Sequence, residues 1–265
     1  MSGTAAIVSS LPRLHKLTSD DSVLPLTPLT QTYSLCFSLL ALFSNSALLL
    51  TSVSGPTISV LAATKTARQR LKPTHIIIDA RAVPRFQDDL TALSNSAGLT
   101  ARYSTWSTTR AITQGYMPPS TRKPSYLPPG LSALKTLYIT HPDTLDKSTH
   151  IPSATLSTLR LLLSTRVALA LTASKVAGFV TQTNIFDYRD KGTQVCVGPV
   201  AASLELCLTG KEEEVGRLDG VGAITVKGPA VVGGDKQRVV LVHVRGRIDG
   251  DNTLVLADSL FEKYK

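Results

Sequence analysis

Two patterns of apolar positions divide the chain. Up to about residue 193, continuous apolar runs alternate with segments whose apolar residues recur at helical spacing; beyond it, apolar and other residues alternate one by one. His75–Asp79, with Ile76, Ile77 and Ile78 in a row, reads as a strand buried on both faces. Leu134–Ile139 and Val167–Leu171 read the same way. Between them come helical patterns. Ile58–Arg70 carries its basic residues late and is stopped by Pro73. Val83, Phe86, Leu90 and Leu93 mark one face of a helix ending near Gly98, and Ser153–Ser164 predicts another. Strands alternating with helices predict a parallel sheet with right-handed crossovers.

Within this half, Ser22–Thr64 contains no charged residue. Its centre, Tyr33–Val53, is long enough to raise the question of a membrane span, which takes about 20 apolar residues. Seven Ser, Thr and Asn residues dilute it, with Asn45 well inside. A buried helix over Leu35–Phe43, a turn at Ser44-Asn45-Ser46 and a buried strand over Ala47–Leu50 are expected instead. Anchoring through 33–53 stands as the membrane alternative. Thr100–Pro129 has no sustained period and is expected to be a long loop.

Beyond residue 194 the signals are those of short strands in hairpins. Ser203–Leu208, Ala223–Lys227 and Thr253–Ala257 alternate, and Val239–Val244 is β-branched and almost wholly apolar. Asp249-Gly250 predicts a tight turn with positive φ at both central residues. Glu212-Glu213-Glu214 predicts a solvated hairpin tip. The partition is therefore a poorly ordered lead-in over 1–21, an α/β subdomain over 22–193 with its loop at 100–130, a small β-barrel subdomain over 194–258, and a tail over 259–265.

Composition narrows the function. Charged residues make up 18% and apolar ones 43%, which suits a folded protein. The net charge of +9 comes from scattered Lys and Arg without a dense run interleaved with aromatics, so no nucleic-acid partner is expected. Cys36, Cys196 and Cys207 are odd in number and lack CxxC spacing. They point to a reducing, intracellular and most simply cytoplasmic location, with Cys196 and Cys207 as small buried hydrophobes. The five histidines are far apart in the chain, and no metal site is expected. There is no GxSxG, HExxH or Walker motif. Asp187-Tyr-Arg-Asp190 is expected to close the junction between the two subdomains by an ion pair.

The glycines of the last third carry a resemblance. Gly198-Pro-Val, then Gly222-x-Ile-x-Val-Lys-Gly-Pro-x-Val-x-Gly-Gly, then Gly246-Arg-Ile-Asp-x-Asp resemble the β-barrel subdomain of the adenylate-forming, or AMP-binding, superfamily. The wording is closest to its fungal acyl-CoA-ligase-like branch. The resemblance covers roughly Leu24 to Ala257 and implies the α/β and β-barrel parts of an adenylate-forming N-terminal domain. Such enzymes join a carboxylate to ATP and pass the acyl group to a thiol, using ATP and Mg2+.

The resemblance also says which residues the chemistry needs. It places Leu169, Ala170, Leu171 and Thr172 on the nucleotide-binding stretch that in the family reads Tyr-Gly-x-Thr-Glu, so that Leu169 stands for Tyr, Ala170 for Gly and Ala173 for the magnesium-holding Glu. His243 and Val244 stand where Gly and the ribose-binding Asp belong. No segment reads as the family's phosphate loop, the match to the C-terminal domain with its Lys is missing, and Lys263 and Lys265 are poor substitutes. The expected protein is a truncated ligase-like chain with no catalytic residues and no cofactor of its own, a pseudoenzyme that binds an acyl ligand or acts as a scaffold. One part of a split ATP-dependent acyl-CoA ligase is the alternative, with a partner chain or self-association.

Overall fold

A computed structural model describes residues 17–52, 59–67, 72–97, 109–110, 123–145, 149–188, 191–210, 220–232 and 238–257. The first half forms a six-stranded sheet from β1 (Ser22–Pro25), β2 (Ala47–Leu48), β3 (His75–Asp79), β4 (Thr136–Pro142), β5 (Arg166–Thr172) and β6 (Thr181–Gln182), in the order β2-β1-β3-β4-β5-β6. Every pairing is parallel except β5 with β6. Helices α1 (Thr32–Phe43), α2 (Val60–Ala67), α3 (Val83–Ser96) and α4 (Ser153–Leu163) form the crossovers. The apolar runs become strands because each is covered on both faces: Ile76, Ile77, Ile78, Leu137, Ile139, Val167, Leu169 and Leu171 are fully buried.

The uncharged stretch folds as helix, turn and short strand, α1 followed by β2, and not as one long helix. Asn45 takes positive φ at the turn, where its short side chain tolerates the left-handed region. Tyr33, Cys36, Phe37, Leu40 and Ala41 on α1 are buried, with the Phe37 ring 4.7 Å from that of Tyr138. No helix among the described residues is long and apolar enough to cross a membrane.

The second half forms a separate antiparallel sheet from β7 (Val195–Gly198), β8 (Glu205–Thr209), β9 (Gly222–Lys227), β10 (Arg238–Ile248) and β11 (Leu254–Leu256), in the order β7-β11-β10-β9-β8. Its terminal strands β7 and β8 are not paired to each other among the described residues. At Gly198 φ is +84, and the backbone packs so tightly on Gln182 that a Cβ would lie 2.2 Å from its carbonyl oxygen. This turn sends the chain after β7 onto β6, where Gln182 N donates to Pro199 O at 3.2 Å. One apolar core runs from Val23 to Leu256 through both sheets.

Two sequence expectations need correction. The connection from β10 to β11 is longer than a two-residue turn: Asp249 N donates to Thr253 O at 2.9 Å, and positive φ falls on Asn252 while Gly250 has none. Asp249 and Asp251 stabilise it by accepting amide hydrogen bonds from Gly250 and Thr253. Cys196 and Cys207 are only half-buried, because β7 and β8 are the edges of their sheet; Cys36 is buried, and all three thiols are free. The Glu212–Glu214 tip, His243's side chain and Lys263 and Lys265 lie outside the described residues, as does nearly all of the 100–122 loop.

Candidate functional site

Parallel strands point their carboxyl ends the same way, and ligands of such sheets lie outside those ends where the strand order reverses. Here the chain moves from β1 to β2 on one side, then crosses to β3 on the other, so the reversal falls between β1 and β3. At the carboxyl ends of β3 and β4 sit Asp79, Thr140 and His141, facing Gln31 at the start of α1. All but Gln31 are buried.

Asp79 is held from one side by Arg81, whose Nε and Nη2 both donate at 2.8 Å and whose amide donates at 2.9 Å. Burial pushes the Asp79 carboxyl up, but these bonds win and keep it below the usual range. Gln31 Nε2 reaches the same carboxylate at 3.5 Å, and Thr140 Oγ1 donates to Gln31 Oε1 at 3.4 Å. These last two contacts are long and weak.

His141 differs from all of these. It is fully buried, and neither ring nitrogen is in hydrogen-bonding geometry with a described residue. Its ring centroid lies 5.0 Å from that of His150, which the sequence separates by nine positions. Burial, with the neighbouring His150, pulls its pKa down to about 4, so it is neutral at physiological pH. A neutral imidazole can donate from one nitrogen and accept at the other. No group of three or more His, Cys, Asp or Glu able to hold a metal is present among the described residues.

The stretch expected to touch nucleotide runs through the interior of β5. Leu169, Ala170 and Leu171 are buried, and their backbones are already engaged: Leu169 N and O both bond to Thr183, and Leu171 O accepts from Val180. Thr172 ends the strand, with its carbonyl bonded to Asp143 N at 2.8 Å, and Ala173 follows, also buried. Val244 is buried in β10, beside the register shift between Leu241 and Arg245. The loop after β5 docks on the segment after β9 through Ala177 N to Ala230 O and Val232 N to Lys175 O.

A separate cavity of about 380 Å³ opens between the two sheets, lined by Leu156, Arg160, Asn184, Phe186, Cys196 and Pro199 among others. Its floor is the joint between the halves. The N-terminus of α4 donates Ser153 N to Gln194 O and Ala154 N to Gly192 O, while Lys191 Nζ bridges Asp249 at 3.0 Å and Asp251 at 3.4 Å. Of the Asp187–Asp190 cluster expected to supply a junction ion pair, Arg189 and Asp190 lie outside the described residues.

Solved structures share this fold. An anthranilate CoA ligase, AuaEII, in complex with anthranoyl-AMP superposes with a TM-score of 0.64 at 11% identity, over 96% of this chain and 42% of that one. The N-terminal domain of FACL13 from Mycobacterium tuberculosis gives 0.62 at 10% identity, over 96% and 55%. The o-succinylbenzoate CoA synthetase MenE from Bacillus subtilis, in complex with AMP, gives 0.58 at 14%, over 97% and 45%. The chain has the adenylate-forming fold. It spans about half the length of the chains it matches. No family model matches the sequence, and no curated protein does.

Within the adenylate-forming fold, Gln31, Asp79, Arg81, Thr140 and His141 were not picked out from the sequence. The available signal was positional: Asp79 and His141 each sit at or next to the last residue of a parallel strand. The histidines looked isolated because only the fold brings 141 and 150 together.

Proposed function

We propose that this chain is an acyl-CoA-ligase-like protein of the fungal AMP-binding type that does not itself form adenylates, and that it serves as an acyl-ligand-binding or scaffolding protein inside the cell. The observation that carries the reading is the pair Ala173 and Val244, both buried hydrocarbon. The family resemblance expects a magnesium-holding Glu at the first and a ribose-holding Asp at the second. Magnesium requires hard oxygen ligands, which an Ala side chain lacks, and Val offers no acceptor to a hydroxyl. Leu169 in place of the family's Tyr removes the ring expected against adenine.

ATP–pyrophosphate exchange with a panel of carboxylic acids tests this. The native chain is expected to give no exchange with any acid. Exchange above the no-protein control, with Ala173 and Val244 untouched, would contradict the proposal.

The second reading, one part of a two-chain ATP-dependent acid–thiol ligase, is supported by a match that spans about half the length of a CoA ligase and a CoA synthetase chain. It predicts that a partner chain restores exchange. A panel of candidate partners encoded beside this gene, co-expressed with it, distinguishes the two readings.

A further inference from the structure

We draw no further inference here: the strongest candidate, the cavity of about 380 Å³ between the two sheets, has its Lys191 met by Asp249 and Asp251 and Asp187 in the same wall as Arg160, so nothing in the structure shows what would fill it.

Discussion

The two ends of the parallel sheet treat polar groups in opposite ways. At the amino end, Asp21 is 3% exposed and every oxygen of its carboxylate is used: Thr18 N and Oγ1 donate to Oδ2 at 2.9 and 2.8 Å, and Lys135 Nζ and Thr74 Oγ1 donate to Oδ1 at 2.7 and 3.2 Å. Thr74 Oγ1 also pairs with His75 Nδ1 at 2.9 Å, so β1, β3 and the residue before β4 are tied together. At the carboxyl end Arg81 holds Asp79 tightly, but Gln31 joins the recess only through two contacts near 3.5 Å, and no described residue bonds either ring nitrogen of the buried His141 in good geometry. A buried polar group without a partner costs free energy, so the first end is built for stability and the second retains groups that stability does not call for. This is the pattern of a sheet whose carboxyl edge is the ligand side.

Breaking the amino end should have the largest effect. Asp21→Ala removes the acceptor of Thr18 N, Thr18 Oγ1 and Lys135 Nζ and is expected to cost about 2–4 kcal/mol, read as a lower urea midpoint at an unchanged slope. A loss below about 1 kcal/mol would remove the contrast.

Acidification should act on both ends. Burial holds His75 and His141 neutral, with pKa values down from 6.5 to about 4. A base with a depressed folded pKa contributes stability that is whole above 6.5 and lost as pH falls through about 4. Each histidine then adds a slope of up to about 1.4 kcal/mol per pH unit in that window. Burial pushes the Asp21 carboxyl up, but its hydrogen bonds, led by Lys135, lower it from 3.8 to about 2, so its contribution persists to lower pH and is lost as pH falls below 3.8. Urea melts between pH 7 and 4.5 check the window. Stability that is flat down to pH 4.5 would show that neither ring is held neutral.

Replacing each histidine by Leu sharpens the comparison. His75→Leu forfeits the bond with Thr74 and is expected to cost about 1 kcal/mol or more at pH 7. His141→Leu forfeits no bond of good geometry to a described residue and is expected to fall within about 1 kcal/mol of the native chain at pH 7, and to exceed its stability at pH 5. Equal losses at the two sites would mean that His141 is as well satisfied as His75. The smallest effect should lie away from both ends: Lys191→Ala removes a partly exposed bridge and is expected to cost under about 1 kcal/mol, fading in high salt.

Local patterns made the fold readable. Ile76-Ile77-Ile78 announced β3, and the expected helix over Ser153–Ser164 ends within a residue of α4. The helix, turn and strand across 35–50 were legible because Ser44-Asn45-Ser46 breaks the apolar run. What escaped depended on residues far apart in the chain. Lys135 meets Asp21 across 114 positions and Gln31 meets Asp79 across 48, and no spacing rule spans such distances. The docking of the chain after β7 onto β6 was not legible, because it turns on the contact of Gly198 with Gln182, a tertiary constraint that a glycine alone does not reveal. The turn after β10 was misread because Asp-Gly is a two-residue signal, whereas Asp251, Asn252 and Thr253 extend it.

The most direct test of the functional account is calorimetric titration of the native chain with ATP and Mg2+, alongside a Leu169→Tyr/Ala173→Glu/Val244→Asp variant. No heat of binding is expected from the native chain. Micromolar binding by the native chain would contradict it, and would mean that the carboxyl edge holds nucleotide without the carboxylates that Ala173 and Val244 replace.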